Sequence, residues 1–171
     1  MNRIFKMSVM IAAIIILDQI TKGIVQQKFA LGESIPVISN FFHLTYVRNP
    51  GAAFGMFAYA PDYIRTPLFL ILPVVACFWL LSLIWKSRNE NFYHCLAYSL
   101  IFSGAVGNLI DRFSMNYVVD FFDFFIGTNH FPAFNIADSS ISIAAFILVI
   151  DLLFFSKNNE LKKEKSVSSN L

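Results

Sequence analysis

The stretch FPAFNIADSS (residues 131–140) stands directly before the apolar run ISIAAFILVIDLLFF (residues 141–155). The run has the apolar character of a membrane-spanning helix, which needs about 20 residues. Asp138 lies at the threshold of this run, and Asn135 precedes it by three residues. A carboxylate at this position is either a helix N-cap or a reactive group, and the stretch alone leaves both interpretations open.

The composition of the chain indicates an integral membrane protein. Of its 171 residues, 57% are hydrophobic and 14% are charged, and the mean hydropathy is +0.62. A soluble domain of this length could not bury so much apolar surface. The length predicts one domain. The net charge of +2 gives no support for a nucleic-acid partner.

Four apolar segments are predicted to cross the membrane as helices: residues 4–25, 67–85, 92–112 and 139–155. The second is expected to begin at Pro67, because the first turn of a helix needs no N–H donor there. The first resembles a signal peptide at its basic start, but no cleavage motif follows, so we interpret it as a retained span. The predicted fold class is an all-α integral membrane protein, with residues 1–156 in one membrane-embedded domain and residues 157–171 as a charged cytoplasmic tail.

Basic residues near the ends of the spans predict the orientation of the chain. They occur at the N-terminus, in the short link between the second and third spans, and in the tail: Arg3, Lys6, Lys86, Arg88, Lys157, Lys162, Lys163 and Lys165. Four spans put these three regions on one side of the membrane, and the positive-inside rule makes that side the cytoplasm. The longer connections, residues 26–66 and 114–137, are then expected to face outward.

The first outward connection contains FFHLTYVRNPGAAFGMF (residues 41–57). Aromatic and β-branched residues, which favour strands, precede a turn signal at Asn49, Pro50 and Gly51. The pattern predicts a small strand-rich element on the outer surface of the membrane.

The predicted topology brings polar side chains from three spans and one connection to the outer boundary of the membrane. They are Asp18, Lys22, Asn108, Asp111, Arg112, Asp120, Asp123 and Asp138. Charge at this depth is costly, so a cluster drawn from several elements indicates a site.

Some members also have structural interpretations. Asp18 and Lys22 could form an i,i+4 pair on one helix face, Arg112 could anchor a helix end, and Asp123 could be a solvated loop acid.

Paired aspartates suit hydrolysis of a peptide bond. Two carboxylates held close together share one proton, so one can activate water while the other polarises a carbonyl. Asp120 and Asp138 are the best candidates for such a pair. Asn108, Arg112 and Asn135 could then position the substrate or tune the acids. We predict no cofactor and no metal, since His43, His94 and His130 fall in separate parts of the sequence.

Three other interpretations remain open at this point. Intramembrane acids also serve transporters and proton relays. Ser139 or Ser140 could act as a nucleophile activated by Lys22. A purely structural membrane subunit is the third, although it would leave the polar cluster unexplained.

The motifs, taken in order, resemble those of the bacterial lipoprotein signal peptidases of type II. They are LDQITK (residues 17–22), RNPGAAFG (48–55), SGAVGNLIDR (103–112), VVDFFDF (118–124) and FPAFNIADS (131–139). The resemblance implies four transmembrane helices, a small extracytoplasmic β-cradle and a short surface helix near residues 59–65. It also implies a multi-pass protein of the bacterial cytoplasmic (inner) membrane, with its site on the extracytoplasmic side.

The resemblance further implies an aspartic endopeptidase that cuts prolipoproteins before a diacylglyceryl-modified cysteine. The catalytic pair falls on Asp120 and Asp138. The remaining matched positions have supporting, substrate-holding or structural roles: Asn49, Gly51, Asn108, Arg112, Asn135, Asp18, Lys22 and Asp111. The expected partners are lipid-modified prolipoproteins and membrane lipids, and we expect a monomer.

Overall fold

The computed structural model of the protein describes residues 2–51 and 56–156. Two predicted features lie outside the described residues: the charged tail at residues 157–171, and residues 52–55 of the strand-rich element.

Four long helices form the body of the part of the chain that the structure describes. They are α1 (Arg3–Lys28), a composite second helix (Asp62–Ser87), α4 (Phe92–Met115) and α5 (Ile136–Asp151), which continues as a π-helical turn, Leu152–Ser156. Each is long and apolar enough to cross a membrane. Large apolar side chains on their outer faces are exposed, as expected for a surface that lipid covers: Phe78, Trp79, Trp85 and Phe146.

The second helix begins earlier than the sequence predicts, and the predicted separate surface helix is absent from the described residues. The helix starts as α2 (Asp62–Thr66), passes through a π-helical turn (Pro67–Ile71) and continues as α3 (Leu72–Ser87). Pro67 does not start the helix, because the wider turn accommodates it: the Leu72 N–H donates to the Pro67 carbonyl. Residues 62–65 of the segment expected on the surface are therefore the first turn of this helix.

A four-stranded antiparallel sheet lies at one end of the helices. Its strands are β1 (Ser34–Ile38), β2 (Phe42–Asn49), β3 (Val118–Ile126) and β4 (Asn129–His130), in the order β1-β2-β3-β4. The predicted strand-rich element contains β2, whereas β3 and β4 come from the second long connection. Val47 pairs with Asp120 across β2 and β3.

Helix α4 is the centre of the bundle, because it packs against α1, α3 and α5. Gly104 allows its closest approach to α5: a Cβ there would lie 2.4 Å from the Ala137 carbonyl oxygen. Ser103, beside it, is buried and donates its hydroxyl hydrogen bond to the Leu100 carbonyl. Small residues thus bring the end of α4 against the start of α5.

The sheet is fixed to the bundle by a small apolar core. Val25 of α1, Tyr46 of β2, and Val119 and Phe121 of β3 are buried together. This packing holds Asp120, between the two β3 core residues, close to the end of α4 and the start of α5. We refer to this end of the bundle as the sheet end.

The chain's N-terminal segment and the link between α3 and α4 meet at the opposite end. Arg3 Nη1 donates to the carbonyls of Ser87 and Glu90, each at 3.4 Å. The predicted grouping of these two basic regions on one side therefore agrees with the geometry.

Candidate active site

Helix α5 begins with a reciprocal cap formed by Asn135 and Asp138. The Asp138 N–H donates to Asn135 Oδ1 at 2.9 Å, and the Asn135 N–H donates to Asp138 Oδ2 at 3.2 Å. Such a capping box satisfies N–H groups that the first turn of a helix leaves free. It also fixes the Asp138 carboxylate at the positive end of the helix. The N-cap is thus Asn135 rather than Asp138, which the sequence had offered as a cap, and Asp138 is its partner in the capping box.

Asn135 joins the two aspartates that the sequence paired. It is fully buried, and its Nδ2 donates to Asp120 Oδ1 at 2.8 Å while its backbone N–H reaches Asp138. A single residue therefore contacts both carboxylates. Asp120 is 2% exposed, and its other oxygen accepts from Asn49 Nδ2 at 3.0 Å.

Asn108 connects Asp138 to a deeper ion cluster. Its Nδ2 donates to Asp138 Oδ1 at 2.8 Å, and its Oδ1 accepts from Lys22 Nζ at 2.9 Å. Asn135 Nδ2 lies 3.2 Å from the same Asn108 oxygen. The orientation of the amide follows from these partners, since its oxygen faces an ammonium group and its nitrogen faces a carboxylate.

Lys22 is buried between two carboxylates. Its Nζ lies 2.8 Å from Asp18 Oδ2 and 3.0 Å from Asp111 Oδ2. With Asn108, these partners occupy all three donors of the ammonium group. The i,i+4 pairing of Asp18 and Lys22 that the sequence suggested is present, and Asp111 extends it.

The two acids of this cluster also hold backbone from neighbouring elements. Asp18 Oδ1 accepts from the Ala137 N–H of α5, and Asp111 Oδ2 accepts from the Val119 N–H of β3. The cluster thus anchors the segments that precede Asp138 and Asp120. Sequence reasoning missed Gln19, whose Nε2 donates to Asp111 Oδ1 at 2.9 Å and lies 3.3 Å from Asp18 Oδ2. Its signal was a further polar residue between Asp18 and Lys22 in a largely apolar span.

Burial, together with the nearby charge of Asp138, raises the pKa of Asp120 to about 7. Hydrogen bonds from Asn49 and Asn135 oppose this rise, because they favour the ionised form. Asp120 therefore exchanges its proton near neutral pH, as a proton-transfer group requires.

Asn49 and Arg112 lie beside Asp120 and are linked through Gly51. The Gly51 N–H donates to Asn49 Oδ1 at 3.0 Å, and Arg112 Nη2 donates to the Gly51 carbonyl at 3.1 Å. The Arg112 guanidinium also lies over the Phe69 ring. Arg112 is thus held within the protein rather than extended as a free anchor.

A cavity of about 540 Å³ opens beside the carboxylates. Its polar lining includes Asn49, Asn108, Arg112, Asp120 and Asp138, and its apolar lining includes Phe131, Phe134, Ile141 and Ile143. This volume is within the range of small-molecule and peptide pockets. The cavity can accept an apolar chain next to groups that exchange protons.

The serine–lysine alternative lacks support in the geometry. Ser139 Oγ donates to the Asn135 carbonyl, and Ser140 Oγ donates to the carbonyls of Leu100 and Ala137. Lys22 contacts the Asp18, Asp111 and Asn108 side chains instead. Neither hydroxyl is therefore bonded to the base that it would need.

The structure corrects the interpretation of Asp123 as a solvated loop acid, because this residue is 7% exposed. Its carboxylate accepts from Thr45 Oγ1 at 2.9 Å and lies 2.8 Å from His130 Nδ1. Pairing of β3 with β2 covers it.

The histidines occupy two regions of the structure. His43 and His130 both contact the Phe125 ring on the sheet, whereas His94 contacts Asp151 at the opposite end of the bundle. Within residues 2–51 and 56–156, no three or more His, Cys, Asp or Glu side chains are grouped to hold a metal ion.

The fold and the site define a multi-pass membrane protein with paired carboxylates at one end of its helix bundle. The chain belongs to the family described as signal peptidase (SPase) II, which residues 10–154 match. The resemblance stated from the sequence motifs is thereby confirmed.

Curated relatives carry the same description over most of their length. The chain is 43% identical over 153 residues to the lipoprotein signal peptidase of Syntrophus aciditrophicus, covering 90% of this chain and 91% of the relative. It is 45% identical over 141 residues to that of Desulforapulum autotrophicum, covering 82% and 87%.

Two solved structures described as bacterial membrane enzymes share the fold. One has a TM-score of 0.80 at 35% identity, covering 92% of this chain and 93% of that chain. The other has a TM-score of 0.78 at 34% identity, covering 90% and 96%.

Proposed function

We propose that this protein is an aspartic lipoprotein signal peptidase, which cuts prolipoproteins just before a diacylglyceryl-modified cysteine. Membership of the signal peptidase II family supports the substrate class. The observation that carries the mechanism is the contact of Asn135 with both Asp120 and Asp138. It brings two carboxylates from different elements to one buried amide. In this environment, sharing one proton costs less free energy than ionising both carboxylates.

Asp120 carries the shared proton in the resting enzyme, and Asp138 is ionised. Asp120 is almost fully buried, and its pKa is raised to about 7. Asp138 is half-buried at the start of α5, where the Asn135 N–H, the Asn108 amide and the helix dipole stabilise a negative charge. The less buried acid at a helix N-terminus is the better place for the charge.

Hydrolysis then proceeds through a tetrahedral intermediate. Asp138 takes a proton from water as the water oxygen attacks the scissile carbonyl carbon, and Asp120 gives its proton to the carbonyl oxygen. In the second step, Asp138 returns a proton to the leaving nitrogen, the C–N bond breaks, and Asp120 regains a proton from the geminal diol. The products are the carboxyl end of the signal peptide and the free amino group of the modified cysteine.

Arg112 and Asn108 hold the substrate next to the dyad. Both line the cavity beside Asp120 and Asp138. Among the described residues, Arg112 donates from Nη2 to the Gly51 carbonyl, and its guanidinium has further N–H groups. The guanidinium can therefore donate to a substrate carbonyl at the scissile bond. The apolar lining of the cavity, on α5, suits the signal helix and its lipid.

The site faces the outer side of the cytoplasmic membrane. Arg3, Lys86 and Arg88 lie at the bundle end opposite the sheet, and basic residues favour the cytoplasmic side. Membrane lipids surround the four helices. The enzyme acts as a monomer, because α1, α4, α5 and the sheet of one chain supply every group of the mechanism.

The test is cleavage of a purified diacylglyceryl-modified prolipoprotein in detergent, with a chelator present. Wild type is expected to cut the lipidated substrate, and mass analysis of the product should place the cut before the modified cysteine. Asp120→Asn and Asp138→Asn should each lose activity by about 10³-fold or more, since an amide cannot exchange the proton. Failure of wild type to cut the lipidated substrate would refute the proposed peptidase activity.

Asp123→Asn and Ser139→Ala are the matched controls. Asp123 is also a buried acid of β3, and it should tolerate the nearly isosteric change with activity close to wild type. Loss in Ser139→Ala, with activity kept in Asp120→Asn, would instead support a serine nucleophile.

A further inference from the structure

The turn at Asn49, Pro50 and Gly51 is held by two arginines from different helices. Arg65 Nη2 donates to the Pro50 carbonyl at 3.1 Å, and Arg112 Nη2 donates to the Gly51 carbonyl at 3.1 Å. Consecutive carbonyls of one turn therefore each accept from a guanidinium. Arg112 already has a place in the proposed mechanism, but Arg65 does not.

We propose that Arg65 is a positioning residue for the reaction: it fixes this turn so that Asn49 donates its hydrogen bond to Asp120. The inference rests on the proposed function for its kinetic consequences. The path is short, since Arg65 contacts Pro50, Pro50 follows Asn49, and Asn49 Nδ2 lies 3.0 Å from Asp120 Oδ2.

Arg65 also ties the turn to the end of α4. Its Nη2 lies 3.4 Å from the carbonyl of Asn116, the left-handed C-cap of that helix. Asp62, its partner in a 3.6 Å ion pair, is 93% exposed, so that pair is weak. The Arg65 side chain is 24% exposed, and its buried Nε has no hydrogen-bond partner among the described residues. The hydrogen bonds to the Pro50 and Asn116 carbonyls therefore offset the cost of partly burying the Arg65 charge.

Two other contacts restrain the turn, and neither replaces the restraint that Arg65 supplies from the helix side. A Cβ at Gly51 would lie 2.3 Å from the Met56 carbonyl oxygen, so the turn packs closely on one side. On the other side, the Gly51 N–H holds Asn49 Oδ1 and thereby orients the Asn49 amide toward Asp120. The arginine contacts complete this restraint from the helices.

The proposal predicts a change in the titration of Asp120. The Asn49 hydrogen bond favours the ionised carboxylate, so its loss raises the pKa of Asp120. The other titratable groups around Asp120 are Asp138 from α5, Lys22 from α1, Arg112 from α4, and Arg48, Asp123 and His130 from the sheet. An Arg65 substitution leaves all of these side chains in place.

The test compares Arg65→Gln with Arg65→Lys and Arg3→Gln. Arg3 is the matched control, because it also donates to two backbone carbonyls but at the opposite end of the bundle. Arg65→Gln should lower kcat by about tenfold with KM nearly unchanged. The basic limb of its pH profile should move up by about one unit. Arg65→Lys should restore part of the rate, and Arg3→Gln should match wild type.

A double variant separates positioning from general stability. If Arg65 acts through Asn49, Arg65→Gln combined with Asn49→Ala should be no slower than Asn49→Ala alone. Additive losses, or a wild-type pH profile in Arg65→Gln, would overturn the proposal.

Infrared titration of the protonated Asp120 carboxyl group, assigned by its absence in Asp120→Asn, gives a readout independent of cleavage. An unchanged titration in Arg65→Gln would refute the positioning role even if wild type cuts nothing. A shifted titration would support it in that case, and only the proposed function would fail.

Discussion

The two ends of the helix bundle differ in how deeply their charged side chains are buried. At the sheet end, Lys22 is 2% exposed and lies within 3.0 Å of two carboxylates that are themselves buried. At the opposite end, His94 is 38% exposed and lies 2.8 Å from Asp151. Both ends use helices α4 and α5, but the pair at the opposite end, with Asp151 12% exposed, is less buried than the cluster around Lys22.

This difference indicates that the charged residues at the sheet end position Asp120 and Asp138, in addition to ending the helices. A buried ion cluster costs desolvation energy, and hydrophobic residues of similar volume often give equal stability. The cluster at the sheet end instead fixes the backbone before Asp138 and the strand that carries Asp120. The His94 ring at the opposite end is partly exposed to solvent, so less depends on its pairing with Asp151.

Removing the central cation of the sheet end should give the largest loss of stability. Lys22→Met leaves Asp18 and Asp111 buried without a counter-charge, and we expect a cost of about 3–5 kcal/mol in unfolding free energy. Thermal unfolding in detergent measures the change. Lys6→Met, an exposed lysine of the same helix, should leave the midpoint nearly unchanged, and an equal loss in both variants would contradict the account.

The next largest effect should come from Asp120→Asn at alkaline pH. The native pKa of about 7 exceeds the ordinary value of 3.8, so folding binds a proton between these values. Stability of wild type should therefore fall as pH rises from about 4 to about 8, by up to about 4 kcal/mol.

Asp120→Asn lacks this titration. Its thermal midpoint should exceed that of wild type by a margin that grows over the same pH range. A constant difference between the two proteins would show that Asp120 is not the titrating group.

A methyl group at Gly107 should disturb the sheet end without changing any charge. A Cβ there would lie 2.7 Å from Asp18 Oδ2 and 3.2 Å from the Ala137 Cβ. We expect Gly107→Ala to cost about 1–3 kcal/mol and to slow cleavage, since Asp18 holds the start of α5.

Gly23→Ala is the control for this change. It lies on α1, and a Cβ there has nothing within 4 Å. It should be neutral or slightly stabilising. Equal behaviour of the two alanine variants would argue against the close contact.

The smallest effect is expected at the opposite end. Asp151→Asn weakens the contact with His94 and retains a hydrogen-bonding amide beside Asn91. We expect a change below about 1 kcal/mol and cleavage at the wild-type rate. A loss comparable to that of Lys22→Met would erase the contrast between the two ends.

Much of this architecture could be predicted from the sequence, because apolar length and helical spacing are local signals. The runs predicted four helices, and the spacing of Asp18 and Lys22 predicted a pair that the structure shows at 2.8 Å. The motifs around Asn108 and Asn135 also indicated residues that the structure brings together.

The remaining features depend on contacts that local patterns do not encode. Strand β3 pairs with β2 across a long sequence separation, for example at Val47 and Asp120, and its apolar run gives no sign of a partner. The π-helical turn at Pro67–Ile71 places a proline inside the helix, so the rule that a proline marks a helix start does not apply here. Gln19 joins the ion cluster only because α1 meets the end of α4.

The dependence of kcat on pH tests the central claim most directly: that Asp120 and Asp138 share one proton, with Asp120 as its carrier. For wild type with lipidated substrate and a chelator, the account predicts that kcat falls as pH rises through about 7, where Asp120 loses its proton. A kcat that instead rises through this range and stays high in alkali would contradict it, because Asp120 would then act as the ionised base.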